Sequence, residues 1–312
     1  MRRAEEERMT SSDEPTGGHG ENVNDPVGSL IDVLSIASSD ARTTEDIFTG
    51  DSHAMPLGRI YGGQVLGQSV VAASRTVSED RPIHSMHGYF LRPGDSSRGL
   101  TFSVDRLRDG RSFSARRTQA YQEGVPIFSM IASFQTDEAG LDHAEPMPDV
   151  PEPEALVPQE SDQLHPLSMR SISELPVEVR HVPGTLFESE AVTPEPHQSV
   201  WMRLRRSLPA DPLLHRAMLA YLSDMTIQES ILRAHGLTWR TPRLNVASLD
   251  HAMWWHRPAA VDDWLLYTQD SPSARGGRGL ATGRIYTRAG ELVASVAQEI
   301  MVRVPTPDAP SA

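Results

Sequence analysis

The chain contains no cysteine and no lysine. The first absence excludes disulfides, thiolate nucleophiles, iron–sulfur clusters and cysteine-ligated zinc. The second removes Schiff-base and PLP chemistry, the phosphate-loop lysine of NTPases and the strand lysine of protein kinases. All 29 basic residues are arginine, and chemistry is left to His, Asp, Glu, Ser, Thr, Tyr, Gln and Arg. No apolar run approaches the ~20 residues a membrane helix needs. Met1-Arg2-Arg3-Ala4-Glu5-Glu6 is followed by no apolar core of a secretory signal, and Ala309-Pro310-Ser311-Ala312 carries no address signal. The expectation is a cytoplasmic protein without a membrane span.

What is present is unevenly spread. The 312 residues give a starting expectation of about two domains at ~150 residues each. Of the net charge of −13, residues 137–195 hold −12, with 14 acids, two arginines and nine prolines. Residues 1–26 hold −4, so the remainder is mildly basic at +3. A pI of about 5.4 without a concentrated basic patch argues against a nucleic-acid partner.

Residues 1–27 are polar and aperiodic and read as a disordered tail. From 28 to 136 the pattern is orderly. Gly62 to Ala73 reads as a helix with small and apolar residues on nearly all sides, hence buried. Extended runs follow at Met86–Leu91, Leu100–Leu107, Ser112–Tyr121 and Ile127–Phe134, with a hairpin turn at Asp109-Gly110. Residues 137–195 read as a Pro/Glu-rich connector between two units. Across 196–304 the first pattern returns: a buried helix over Leu213–Leu232, then runs at Val246–Trp255, Trp264–Gln269, Gly279–Thr287 and Leu292–Arg303. Residues 305–312 form a second tail. The halves echo each other in sequence. Phe90-Leu91-Arg92-Pro93 answers Trp255-His256-Arg257-Pro258, and Ile127-Phe128-Ser129 answers Val293-Ala294-Ser295. Arg92 to Ser129 is 37 positions and Arg257 to Ser295 is 38. Each half is therefore one helix wrapped by about four antiparallel strands, an α+β fold made twice, whose sheets can continue each other.

Three polar residues stand on elements that read as apolar. Asp224, mid-helix in this reading, is costly when buried unless paired, and is either a structural carboxylate or a desolvated general base. Strand alternation places Ser248 with Val246, Asp250, Ala252 and Trp254, and His251 on the opposite face, so no Ser-His-Asp triad forms there. No Gly-x-Ser-x-Gly elbow occurs. Gln298 falls in the apolar row Leu292, Ala294, Val296, Ile300, Val302, and its amide needs buried partners. His84 and His87, three apart on a strand, face opposite ways and do not make a metal pair. The glycines around Arg275 precede a strand and fail the context test for a dinucleotide loop.

These segments resemble the acyl-CoA thioesterase II (TesB-type) family of double-hotdog enzymes. The resemblance rests on Gly58-Arg59-Ile60-Tyr61-Gly62-Gly63-Gln64, Tyr89-Phe90-Leu91-Arg92-Pro93-Gly94 and Leu107 to Arg117 in the first half. In the second it rests on Ser223-Asp224, Ser248-Leu249-Asp250-His251, Trp255-His256-Arg257-Pro258, Trp264-Leu265-Leu266-Tyr267 and Val293-Ala294-Ser295 leading to Gln298-Glu299. It implies a double hotdog that hydrolyses acyl-CoA to fatty acid and CoA without a covalent intermediate. Asp224 would take a proton from water held by Gln298 and Ser248. Gly62, Gly63 and Gln64 would open the helix that stabilises the oxyanion. Arg108, Arg111 and Arg116 would meet the CoA phosphates. It implies no metal and no cofactor beyond the coenzyme A of the substrate, and a homo-oligomer, a dimer or tetramer of double hotdogs. The alternatives are a hotdog enoyl-CoA hydratase, a thioesterase acting on carrier-bound chains, and an acyl-CoA sensor without turnover.

Overall fold

The computed structural model describes residues 25–39, 43–156, 175–187 and 192–304. The tail reading of residues 1–24 and 305–312 lies outside these. Helix α1 (Pro26–Leu34) begins within the segment read as tail, started by Pro26 and capped by Asp25, whose carboxylate accepts the Gly28 N–H at 2.8 Å. Strands β1 (Ala37–Ser38) and β2 (Asp46–Gly50) lead to helix α2 (Gly62–Ser74). The four expected strands follow as β3 (Ile83–Phe90), β4 (Leu100–Asp109), β5 (Phe113–Gln122) and β6 (Val125–Gln135). The second half begins with β7 (Val177–His181) and β8 (His197–Leu204), ahead of α3 (Pro212–Ser223) and α4 (Glu229–Ala234). It closes with β9 (Asn245–Ser248), β10 (Asp250–Trp255), β11 (Leu265–Arg275), β12 (Arg278–Thr287) and β13 (Leu292–Arg303).

The thirteen strands of the described residues form one antiparallel sheet in the order β1-β2-β4-β5-β6-β3-β10-β13-β12-β11-β8-β7, with β9 on β13. The halves join at β3 and β10, where His87 lies opposite Ala252. The sheets therefore do continue each other, and neither half has an open edge at the junction. The repeat extends to single hydrogen bonds: Leu91 and Arg92 N–H donate to Ile127 O as His256 and Arg257 N–H donate to Val293 O. The Arg92 and Arg257 guanidinium groups donate to Pro126 O and Leu292 O at 2.9 and 3.0 Å.

Helices α2 and α3 lie antiparallel inside the sheet's curve. Gly63 and Gly67 set their spacing. A Cβ at these positions would stand 2.3 Å from Tyr221 O and 3.1 Å from Ala217 O, so the backbones meet only without side chains. The helix–sheet core runs through both halves, including Leu66, Val70, Phe102, Phe134, Met218, Leu222, Met253 and Val296.

Residues 137–195 are more than a connector. They contain β7, whose Val-Glu-Val-Arg-His alternation is masked by the acidic composition around it. Met147, Val150 and Leu156 pack on a second cluster of Trp201, Trp264, Leu266, Tyr286 and Leu292. Acids of this segment pair with outward-facing arginines, Glu145 with Arg284 and Glu152 and Glu154 with Arg288. The chain from 137 to 156 is thereby held over the outer face of the second half. Among the described residues no helix is long and apolar enough to cross a membrane.

Candidate active site

The helix expected over Leu213–Leu232 is interrupted where Asp224 stands. Helix α3 ends at Ser223, Asp224 is its C-terminal cap, and the chain turns before resuming as α4. Two tyrosines, Tyr267 buried and Tyr61 half-buried, stabilise the break: Tyr61 OH donates to Tyr221 O and Tyr267 OH to Ser223 O, both at 2.9 Å. They satisfy terminal carbonyls that a continued helix would have used. Apolar residues continue through the turn, so the periodicity gave no sign of it.

Asp224 is 4% exposed and meets Ser248 and Gln298. Gln298 Nε2 donates to Asp224 Oδ1 at 2.8 Å and to Ser248 Oγ at 2.7 Å. Ser248 Oγ donates to Asp224 Oδ1 at 3.1 Å. The three residues converge, but as a closed triangle and not as a cup around a solvent molecule. Ser248 and Gln298 hold the carboxylate itself, and the other oxygen, Oδ2, lies beside the first turn of α2. Burial raises the Asp224 pKa to about 6, against the lowering effect of the bonds from Gln298, Ser248 and the Gly63 N–H.

Strand alternation across 246–255 fails at one residue. Ser248 pairs with Ile300 while Ala252 pairs with Ala297, so the strand carries one residue more than its partner between these pairs. This bulge around Leu249 puts His251 on the inner side with Ser248, and turns Asp250 outward to accept the Glu299 N–H at 2.6 Å. His251 is thus the residue that the sequence reading missed; only the bulge, invisible in a two-residue period, could have revealed it. It does not touch Ser248. Its Nδ1 faces Gln298 Oε1 and its Nε2 lies 2.9 Å from Ser223 Oγ. With both Nε2 protons of Gln298 committed, Oε1 is an acceptor and His251 Nδ1 carries the proton. Burial lowers the His251 pKa to about 4, so the ring is neutral near pH 7 and fixes which end of the Gln298 amide faces Asp224.

Helix α2 supplies the opposite wall. Tyr61, at its N-cap, gives no side-chain hydrogen bond to the first turn. The Gly63 N–H donates to the Asp224 carboxylate and the Gln64 N–H to Tyr61 O at 3.1 Å. The Gln64 side chain is occupied elsewhere, with the His53 N–H and Gln68. Of the three residues expected at this helix start, only Gly62 borders the cavity. A Cβ at Gly62 would stand 2.6 Å from Asp224 Oδ2, so the carboxylate and the helix start fit together only with glycine there.

The cavity, about 410 Å³, lies between the halves. Ile60, Tyr61, Val65, Phe90, Ile127 and Phe128 come from the first; Asp224, Gln228, Val246, Ala247, Ser248 and Leu249 come from the second. Arg59 and Arg92 line it and are exposed. Arg108, Arg111 and Arg116 do not border it. Their hairpin closes over the C-terminal end of α2, a helix length of about 20 Å from Gly62. Arg116 is 1% exposed with its guanidinium donors spent inside the protein, so it cannot serve as a phosphate contact. Among the described residues no group of three or more His, Asp or Glu could hold a metal ion.

Comparisons with known proteins assign the chain to a family. Residues 51–135 match the family model for the acyl-CoA thioesterase N-terminal domain, and residues 170–301 the model for acyl-CoA thioesterase. The human protein acyl-coenzyme A thioesterase 8 is 38% identical over 95% of this chain and 97% of its own. This chain belongs to the acyl-CoA thioesterase family. Acyl-CoA thioesterase 2 of Haemophilus influenzae is 34% identical over 90% of this chain and 99% of its own. The crystal structure of the acyl-CoA thioesterase II TesB2 from Mycobacterium marinum superposes with a TM-score of 0.73, at 42% identity, over 89% of this chain and 99% of that one. The fold is the double hotdog, and the chain is a thioester hydrolase acting on acyl-CoA.

Proposed function

We propose that this thioesterase hydrolyses its substrate by direct attack of water, with Asp224 as general base and no acyl-enzyme. The observation that supports this most is the convergence of Ser248 and Gln298 on one oxygen of a buried carboxylate. Those bonds leave Oδ2, on the side of α2, to bind a water and take its proton. The thioester carbonyl would lie at the start of α2, where Gly62 and the positive end of the helix stabilise the developing oxyanion. Collapse of the tetrahedral intermediate breaks the C–S bond, and the proton held by Asp224 returns to the sulfur, giving fatty acid and CoA. The acyl chain would occupy the apolar cavity. Arg59 and Arg92 stand where the phosphates of CoA could meet a guanidinium, in place of the hairpin arginines. No cofactor takes part; coenzyme A enters as part of the substrate.

The same reading includes a homo-oligomer, supported by exposed Tyr89 and Ile131 on the outer face near the junction, and a cytoplasmic location. Light scattering and cell fractionation check these two. The decisive assay follows free thiol released from palmitoyl-CoA by purified protein. Thiol release at a rate that scales with enzyme is expected. Tight binding without release, or hydration of an enoyl-CoA without thiol, would overturn it.

A further inference from the structure

One side chain in the cavity lining is left without a task. Gln228 is 4% exposed, sits in the turn between α3 and α4, and borders the cavity four residues beyond Asp224. Its Nε2 donates to Met225 O at 3.1 Å. That bond fixes the amide's orientation, because the reverse would set two acceptors against each other. Its Oε1 is buried and has no hydrogen-bond partner. The other polar groups of the lining are accounted for. Arg59 and Arg92 are exposed, Tyr61 OH is bound to Tyr221 O, and Asp224 and Ser248 are bound to each other. The rest of the lining is apolar or backbone glycine, and an amide acceptor left bare there is unfavourable. A side chain meant only to contact hydrocarbon would carry no such group.

We propose that Gln228 is a specificity-determining residue that accepts a hydrogen bond from a hydroxyl on the acyl chain, making hydroxyacyl thioesters the preferred substrate class. This rests on the hydrolase reading above and refines it. Oε1 is closed off from the cavity in the unliganded protein, so the side chain must turn to meet a ligand. An acyl-CoA has two kinds of donor that could then pair with it: a hydroxyl on the acyl chain and the amide N–H groups of the pantetheine arm. Only the first distinguishes one acyl-CoA from another. A site built around such a bond discriminates strongly against the analogue lacking the hydroxyl, because the protein acceptor is then left unpaired.

The test compares kcat/KM for dodecanoyl-CoA with its 2-hydroxy, 3-hydroxy and ω-hydroxy forms, read as released thiol. The native enzyme is expected to favour at least one hydroxylated isomer by about tenfold or more. Gln228→Leu, and Gln228→Met as a second variant should the first fold poorly, are expected to bring that ratio to about one. A ratio the variants leave unchanged would overturn the proposal; a loss shared by plain and hydroxylated chains does this and assigns Oε1 to the pantetheine arm. So would a native enzyme indifferent to every hydroxyl position. Thiol release from plain dodecanoyl-CoA in the same assay reports the hydrolase reading separately, since it persists if only hydroxyl recognition is wrong.

Discussion

The two halves repeat one fold and differ at the site proposed for catalysis. Ser74 stands as far from the start of α2 as Asp224 does from the start of α3. Three residues beyond the matched Ser129 and Ser295 come Ala132 and Gln298, and seven before the matched Phe90 and Trp255 come Ile83 and Ser248. Met86 answers His251. The first half thus has a hydroxyl, a methyl and two apolar side chains where the second has a carboxylate, an amide, a hydroxyl and an imidazole. The helix starts differ in the complementary sense. Asp211 caps α3 by accepting the Leu213 and Leu214 N–H groups, and Pro212 has none to offer. Tyr61 gives the start of α2 no side-chain cap, and the Gly63 N–H goes to Asp224 of the other half instead. The mechanism proposed above therefore draws on both repeats: the second would contribute the base and the first the helix start that faces it. The counterpart arrangement at the other end has neither.

The comparison is broken most directly by exchanging the base. Asp224→Asn is expected to lower turnover by about 10²–10⁴, the range for loss of a general base, while Ser74→Ala changes it less than about twofold. Thiol release from variants that keep a cooperative melting transition would check both. Near-normal turnover in the Asn variant would remove the asymmetry on which the mechanism rests.

A smaller effect comes from protonating Asp224 in place. With its pKa near 6, kcat/KM should fall about tenfold per pH unit below 6 and level off above it. Stability runs the other way. The folded group binds its proton more tightly than the unfolded one does, so its contribution is present below about pH 4 and lost as pH rises through about 6. A shift of this size corresponds to about 3 kcal/mol. Denaturant midpoints should accordingly show Asp224→Asn gaining on the native protein between pH 4 and pH 7. A parallel pH response in the two proteins would show that the native state does not perturb the carboxylate.

Much of this was legible in the residues. The doubled helix and sheet followed from the echo of Phe90-Leu91-Arg92-Pro93 in Trp255-His256-Arg257-Pro258, and the inner row of β13 from simple alternation, since neither depends on an irregularity. Asp224 and Gln298 stand out because each interrupts an apolar pattern, whereas Ser248, in a row that also holds Asp250, and the grouping of the three came from the resemblance to the thioesterase family. What escaped are the places where backbone regularity fails. The bulge at Leu249 reverses the side on which His251 lies, and the break at Asp224 ends a helix inside a continuous apolar run. Both are stabilised by distant partners, Glu299 N–H for the bulge and Tyr61 and Tyr267 for the helix end. A local pattern carries no trace of them. Strands β2 and β8 escaped for a related reason: each is joined to its preceding partner, β1 or β7, by a longer connection without the tight hairpin turn that marks the later strands.

Arg116 sharpens the comparison from the first half. In β5 it lies opposite Ala132, whereas in β12 the corresponding Ala281 lies opposite Gln298. The long polar side chain has changed strands between the repeats. Its Nε donates to Thr76 Oγ1 at 2.8 Å, and its terminal nitrogens reach Thr76 O, Arg108 O, Ala115 O and Asp109, so the guanidinium closes the end of α2. Removing it strands the two buried Thr76 acceptors and the partly buried ones beside them, and Arg116→Met should cost about 2–4 kcal/mol. Because that end of α2 is remote from Asp224, kcat for palmitoyl-CoA measured well below the melting temperature should stay within about twofold of native. Chemical denaturation paired with thiol release separates the two readouts. A variant that keeps its stability but loses CoA affinity would restore Arg116 to the binding site; one that loses stability alone places it as the structural plug of an end that does no chemistry.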